Sequence, residues 1–396
     1  MKVVHISSGD SGGAGIAARR LNRALNDAGI ESRLLCLHKT SIDETVVQFK
    51  VPIYNKLLIH SHLPIGQNKY LNQTEINQKY EAVSYPEALY DISEHPLVKE
   101  ADIINLHWVG NVLNYKKFFL KVKQPIVWTL HDMNPFLGIA HYMGDYQKNI
   151  AYRTLENKVA RIKYLAISNH NNINVVNLCD WMKHFSESSK VFKDRKHWVI
   201  PNSVDTNVFK LRDKIACRKI LDIPTDARVI FFCAQSLNNP RKGFDLLLDA
   251  LKKIEHECIL LIVGSTNVLS LPEKVSSIGF ESIRDELTMS LFYSAADLFL
   301  LPSREDNLPN TMVESLCCGT PVISYSNGGM RDIIKDKKSG LLVPEHTSWA
   351  FAEAINVALD SLSNYDNCKI ASDYSKIFAP TKQACEYISL YKSLMM

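Results

Sequence analysis

The densest chemistry in this sequence lies between Pro302 and Ser326. Its first part reads Pro302-Ser303-Arg304-Glu305-Asp306-Asn307-Leu308-Pro309-Asn310-Thr311-Met312-Val313-Glu314. A strand ends near Leu301, a polar turn follows, and a helix is expected to begin near Asn310. Asp306 and Glu314 have seven residues between them, one standing before the helix and one in its first turns. Carboxylates so placed can grip hydroxyl groups at opposite ends of a ligand, with the intervening backbone N–H groups facing phosphates. A sugar nucleotide has that layout of sugar hydroxyls, diphosphate and ribose hydroxyls. Simple helix capping plus a surface charge is the plainer account. Two features oppose it. The stretch Met312–Cys318 is otherwise apolar, so Glu314 should be half-buried and need a partner. Gly319-Thr320-Pro321 then leads at once into the strand Val322–Tyr325, which fixes the direction of the turn.

Three further stretches carry polar groups at strand ends. Asn238-Asn239-Pro240-Arg241-Lys242-Gly243 projects two adjacent cations from a loop shaped by Pro and Gly, a setting that suits a diphosphate. Ser8-Gly9-Asp10-Ser11-Gly12-Gly13-Ala14-Gly15 joins the first strand to a helix, and its glycines let backbone N–H groups approach an anion. A dinucleotide site would need an acidic residue at the end of the second strand to hold the ribose. That strand ends Cys36-Leu37-His38, which argues against a dehydrogenase. Thr129-Leu130-His131-Asp132 places an imidazole at the carboxyl end of a buried strand, where open α/β sheets bind ligands. His107 and His141 are weaker versions of that signal, and a lone histidine is more often structural.

These groups need rigid elements behind them. Short apolar strands alternate with helical patterns along most of the chain. The strands are read at Val3–Ser7, Ser32–Leu37, Ile103–His107, Ile126–Leu130, Tyr164–Ser168 and Trp198–Ile200. They continue at Val229–Ala234, Ile259–Val263, Leu298–Leu301, Val322–Tyr325 and Leu341–Val343. Continuous Val/Ile/Leu runs indicate strands covered on both faces, the pattern of parallel sheets flanked by helices. The expected fold class is α/β, with two doubly wound domains. The turn residues Pro201-Asn202-Ser203-Val204-Asp205 mark the boundary, giving domains at 1–203 and 204–379. Residues 40–87 fit the alternation poorly and read as an irregular insertion, with apolar patches such as Ile53–Ile59.

The composition is 46% hydrophobic and 22% charged, that of a globular protein. A net charge of only +4 argues against a nucleic-acid binder. Residues 1–205 hold 25 basic and 19 acidic side chains against 21 and 23 in the rest, so the excess lies in the first half. That excess permits contact with an anionic membrane surface. The nine cysteines form no C-x-x-C pair, and Cys36, Cys233, Cys258 and Cys317 sit in apolar runs, a pattern that fits a reducing cytoplasm. The chain opens on a strand without a signal-peptide core and holds no apolar run of about 18 residues, so a cytoplasmic location is expected.

Taken together, Arg304 through Pro321, Arg241-Lys242-Gly243-Phe244-Asp245-Leu246-Leu247, Ile200-Pro201-Asn202-Ser203-Val204-Asp205 and Gly12-Gly13 resemble glycosyltransferase family 4, retaining enzymes with the GT-B fold. The order of these pieces covers nearly the whole chain, least well from about 40 to 100. His131-Asp132-Met133-Asn134-Pro135-Phe136 with His141-Tyr142 is similar to a branch found in bacterial surface-polysaccharide gene clusters. The resemblance implies two Rossmann-like domains facing across a cleft, the first for the acceptor and the second for the donor. It also implies that the last helix, about 380–396, packs back on the first domain. It gives Glu314 to the ribose hydroxyls, Asp306 to the donor-sugar hydroxyls and Lys242 to the donor phosphates. Asn307, Leu308, Pro309, Asn310 and Thr311 become a backbone cradle, His131 stands near the reacting sugar, and Gly12 and Gly13 close over the diphosphate. Asn202 and Arg241 join the donor-binding set.

Two departures stand out. The first acidic position is usually glutamate; here it is Asp306, with Glu305 beside it, and either is able to make the sugar contact. An arginine the family often carries before the lysine loop is replaced by Ser236, with Arg241 as the substitute. The implied reaction moves a sugar, with retention, from a UDP- or GDP-linked donor to a hydroxyl of a glycan or lipid-linked saccharide. No Asp-x-Asp motif occurs, so no metal or other cofactor is expected. The competing readings are a sugar-nucleotide epimerase of the same shape and a non-catalytic sugar-nucleotide-binding subunit. The expected partners are the nucleotide sugar, the saccharide acceptor and, peripherally, the inner leaflet of a membrane.

Overall fold

The apolar runs become two parallel sheets in the computed structural model, which describes residues 1–55, 75–76, 79–264, 270–283 and 285–396. The chain divides into two compact units. One comprises Met1–Pro201 with Gln383–Met396, the other Asn202–Lys382.

The first unit is built on β1 (Lys2–Gly9), β2 (Glu31–His38), β3 (Val46–Gln48), β4 (Ile103–Leu106), β5 (Ile126–Leu130), β6 (Ile173–Asn177) and β7 (Lys196–Val199). They are hydrogen-bonded in the order β3-β2-β1-β4-β5-β6-β7, all parallel. The sequence order turns back between β1 and β4, so the loops leaving those two strands diverge and open a crevice at their carboxyl ends. A helix, Gly12–Asp27, returns from β1 to the sheet, burying Ala17, Leu21, Ala24 and Leu25. The central strands β4 and β5 are buried along their whole length, as both-face coverage requires.

The helix Pro380–Met395 lays Ala384, Tyr387, Leu390 and Tyr391 into the first unit's core beside Val3, Ile103 and Val127. Its two phenols are not left unpaired there. Asn105 Nδ2 donates to Tyr391 Oη at 2.8 Å, and Tyr387 Oη lies 2.8 Å from Thr129 Oγ1.

The second unit is built on β8 (Val229–Cys233), β9 (Cys258–Val263), β10 (Val275–Phe280), β11 (Leu298–Leu301), β12 (Val322–Tyr325) and β13 (Gly340–Val343). Their order is β10-β9-β8-β11-β12-β13, again all parallel. Here the turning point lies between β8 and β11.

Two readings of the sequence are corrected. Tyr164–Ser168 is not a strand; it is the end of the helix Arg153–Ser168. Burial along that helix falls on Glu156, Val159, Lys163, Ala166 and Ile167, a helical period, while Tyr164 and Leu165 face solvent. The place beside β5 is taken by β6, whose Ile-Asn-Val-Val-Asn is buried throughout. Residues 40–87 are not wholly irregular. They contain β3, paired with β2, and their Tyr80 and Tyr85 enter the first core. Of the patch at Ile53–Ile59, Ile53 and Tyr54 are exposed, and 56–59 lie outside the described residues. Cys36, Cys233, Cys258 and Cys317 are buried and free. Among the described residues no helix is long and apolar enough to cross a membrane.

Candidate active site

In the second unit, the loops after β8 and β11 meet at the turning point of the sheet. The first forms a short turn, Pro240–Lys242, capped by Asn239, whose side chain accepts from Arg241 N. Gly243 ends it at φ +70, and a Cβ there would stand 1.9 Å from Pro302 O. No other residue type allows that approach of the two loops. Arg304 N then donates to Arg241 O at 2.8 Å. The Arg304 guanidinium grips Asp245 through both carboxylate oxygens, at 2.7 and 2.6 Å.

This geometry delivers Asp306 to the two cations. Lys242 Nζ is 2.5 Å from Asp306 Oδ2, and Arg241 Nη1 lies 3.2 Å from the same oxygen. The carboxylate is buried. Burial alone would raise its pKa, but the charges of Lys242 and Arg241, with hydrogen bonds from Lys242 and from Asn307 N, hold it below the usual carboxylate value. Glu305 contributes its backbone carbonyl, which accepts from Arg241 Nη1 at 3.0 Å. The Asp306 carboxylate thus faces both cations.

The segment Asn307–Thr311 runs into the helix Asn310–Cys317, with Pro309 as its N-cap. Asn307 and Leu308 are buried. Gly329 N donates to Asn307 O at 2.8 Å, and Gly328, at φ +52, would drive a Cβ to 1.9 Å from Asp306 O. Asn327 Nδ2 donates to Ser303 O and Arg304 O. So Asn327-Gly328-Gly329 clamps the turn from behind. The reading of the sequence stopped at Ser326 and missed this support, although Asn-Gly-Gly is a turn signal. Asn202 Nδ2 donates to Asn310 Oδ1 at 3.1 Å, tying the start of the second unit to the head of that helix.

Glu314 is buried on the inner side of the same helix and accepts from Tyr293 Oη at 3.0 Å. Tyr293 was not singled out in the sequence. Nothing local marks it, since it lies 21 positions away in an apolar helix.

In the first unit, Gly12 opens the helix Gly12–Asp27 at φ +69, and a Cβ on Gly12 or Gly13 would meet no atom within 4 Å. The cap residue Ser11 gives no side-chain hydrogen bond. The loop is anchored instead by buried Asp10, which accepts from Thr40 N, Thr40 Oγ1 and Ser41 N at 2.8 to 2.9 Å.

His131 follows β5, half-buried, with its Nε2 2.9 Å from His107 Nδ1. His107 Nε2 lies in turn 2.9 Å from His5 Nδ1. Burial pushes the His131 pKa down to about 4, the neighbouring Asp132 charge opposing it, so the ring is neutral at pH 7. Asp132 turns away from His131. It accepts from His141 Nδ1 at 2.5 Å, Trp108 Nε1 at 2.6 Å and Asn134 N at 3.0 Å. His141 Nε2 then meets Ser84 Oγ at 2.8 Å. Serine, histidine and aspartate thus stand in the order of a hydrolytic triad, but Ser84 is buried against Gly110, where even one added carbon would stand 2.2 Å from its hydroxyl. The hydroxyl has no room for a substrate, and the row is a brace for the segment after His131. Lys163, also buried, donates to Asn134 O, Asn134 Oδ1 and Gly138 O and completes that brace. Among the described residues no cluster of three or more His, Cys, Asp or Glu is arranged to hold a metal ion.

Known proteins resemble this chain in sequence and in fold. Residues 227–361 match the family model described as glycosyl transferases group 1. A D-inositol 3-phosphate glycosyltransferase from Thermobispora bispora is 25% identical over 380 residues, covering 89% of this chain and 83% of the relative. Among solved structures, sucrose-phosphate synthase from Thermosynechococcus elongatus superposes with a TM-score of 0.69 at 17% identity, covering 100% of this chain and 99% of that one. Anabaena HepE in complex with UDP-glucose gives 0.64 at 17%, covering 98% and 99%. Residues 227–361 of the second unit thus carry a group 1 glycosyl transferase domain, and both parallel-sheet units have the GT-B fold of the solved structures they resemble.

Proposed function

We propose that this glycosyltransferase takes its sugar from a nucleotide sugar, UDP- or GDP-linked, and delivers it with retention to a hydroxyl of a glycan or lipid-linked saccharide. The observation that carries the reading is the convergence of Lys242, Arg241 and Asp306 at the turning point of the second sheet. Two cations there suit a leaving nucleoside diphosphate, whose negative charge grows as its bond to the sugar breaks. Glu314, oriented by Tyr293, suits the ribose hydroxyls, and the cradle Asn307–Thr311 suits the phosphates and sugar. The sugar hydroxyls fall to Asp306 or Glu305. The HepE complex with UDP-glucose, similar in fold, supports a donor of this class.

The chemistry needs no metal in this reading, because Lys242 and Arg241 supply the positive charge. The departing phosphate takes the acceptor proton on the face it leaves, and the sugar keeps its configuration. The first unit, with His131 and the Gly12–Gly13 turn, serves the acceptor and the reacting sugar. Bacterial surface-polysaccharide synthesis, at the cytoplasmic face of the membrane, is the setting that the first unit's basic excess suits.

A thermal-shift panel of UDP-, GDP- and ADP-linked sugars tests the donor. A ligand at a hundred times its Kd stabilises the folded state by about 2.7 kcal/mol. One base class should shift the melting temperature of the wild type and fail to shift that of Lys242→Ala. If no nucleotide sugar shifts the wild type at millimolar concentration, the reading is wrong.

A further inference from the structure

Lys242 ends a single short turn, Pro240–Lys242. The turn closes with Lys242 N donating to Asn239 O at 3.0 Å and Gly243 N donating to Pro240 O at 3.1 Å. None of its three residues is buried, so packing does little to fix where the lysine points.

Its place is set from outside, by Arg304 in the loop after β11. The backbone N–H of Arg304 donates to Arg241 O at 2.8 Å, and Nη1 donates to Pro240 O. The guanidinium closes on Asp245 with both terminal nitrogens, at 2.7 and 2.6 Å. These contacts fall on both sides of Lys242, at Pro240 and Arg241 before it and at Asp245 after it. Asp245 stands in the first turn of the helix Phe244–Leu251, so one guanidinium ties turn and helix to the same point. Arg304 is itself held, because its carbonyl accepts from Asn327 Nδ2 at 2.6 Å. Hydrogen bonding from Arg304 draws the Asp245 carboxyl below its ordinary value.

Stability does not account for this arrangement. The two side chains are 37% and 63% exposed, and an ion pair so open to water adds little to the fold. A planar fork with two parallel bonds does supply direction. That direction is imposed on the turn it spans, and the turn presents the cation that faces Asp306.

We propose that Arg304 and Asp245 are positioning residues, whose fork holds the Pro240–Lys242 turn so that Lys242 meets the terminal phosphate of a nucleoside diphosphate. The inference rests on the reading of Lys242 as the donor-phosphate cation. Neither Arg304 nor Asp245 touches the phosphates; both act through the turn.

The test measures calorimetric Kd values of the full-length protein for UDP and UMP and for GDP and GMP, following the pair that binds. Wild type should prefer the diphosphate. Arg304→Leu should reduce that preference about tenfold, with the monophosphate Kd unchanged within about twofold, because a misplaced lysine loses only the phosphate it serves. Arg304→Lys keeps the charge without the fork and should lose the preference in the same way. Asp245→Ala separates positioning from direct contact. If Arg304 bound the phosphates itself, its release from Asp245 would leave diphosphate affinity unchanged or raise it. The positioning role requires a loss like that of Arg304→Leu. A preference that survives in the folded Arg304 variants overturns the proposal. So does unchanged or tighter diphosphate binding in Asp245→Ala, or an equal loss of mono- and diphosphate binding. If Arg304→Leu does not fold, Arg304→Lys and Asp245→Ala decide. If wild type binds mono- and diphosphate alike, the reading of Lys242 fails and takes the proposal with it. A wild-type preference that every variant retains sinks the proposal alone.

Discussion

Asp306 competes with the proposed substrate for the same two cations. In the free protein its carboxylate holds Lys242 and Arg241, and a diphosphate would have to draw both toward itself. Lys242→Ala should therefore cut turnover about a hundredfold or more, the range for removing a group that stabilises transition-state charge. Single-turnover measurements at saturating donor would check this, and near-normal rates in a folded variant would refute it. The ion pairs also have a stability signature. The folded-state pKa of Asp306 lies below its ordinary value of 3.8, so its ionised form favours folding. That contribution is complete above the unfolded-state value and disappears as pH falls through the lower folded-state value. Denaturant midpoints of wild type and Asp306→Asn should be well separated at pH 7 and converge as the pH drops below about 4. Equal separation at pH 7 and pH 3 would contradict the assignment. At this scale the sequence displayed Lys242, Asp306 and Glu314 because their charges interrupt apolar or turn-forming runs. Tyr293 and His5 were invisible, since each looks like an ordinary member of a buried helix or strand and matters only through a partner remote in sequence.

The loops after β8 and β11 approach each other only because backbone replaces side chain at two points. Gly243 faces Pro302 O, and Gly328 faces Asp306 O, both at positive φ. Gly243→Ala combines a strained backbone with a clash that no side-chain movement relieves. It should cost well over about 1 kcal/mol. The same change should abolish nucleotide-sugar binding before it unfolds the protein, because the lysine turn must withdraw from Pro302. Calorimetric titration of the folded variant would show whether binding is lost. Strands with unbroken aliphatic runs, such as β5, β8 and β11, were legible from composition alone. Those that were missed lack that run. β6 is interrupted by Asn174 and Asn177, whose amides find partners on Asn172, Trp198 and Ser186. β10 sits at a sheet edge, and only its first residue, Val275, is buried. Conversely, Tyr164–Ser168 has strand-like composition, but its outward face lies on a helix. Local composition cannot weigh that helix against the strand that displaces it.

At the scale of the molecule, the chain's last helix completes the core of its first unit. Leu390→Ala should cost about 2–5 kcal/mol as a core truncation. The loss should appear in hydrogen exchange of β4 and β5 and leave the exchange of β8 and β11 unchanged. Uniform weakening across both units would contradict the division. The two parallel sheets were readable from alternating strands and helices, whereas the tail's destination came only from family resemblance. An amphipathic helix shows that it has a buried face without showing which surface covers it. The return of that helix also sets an order of events during synthesis. The bond from Gln383 Nε2 to Pro201 O spans 182 positions. At about 5–20 residues per second, roughly ten to forty seconds separate the emergence of the two partners from the ribosome. Throughout that interval the N-terminal sheet is translated but lacks the cover for Val3, Ile103 and Val127. The first unit is thus completed only after the second has been made. A stalled or truncated message would release a second unit able to fold beside a first unit with an open apolar face, a natural substrate for chaperones.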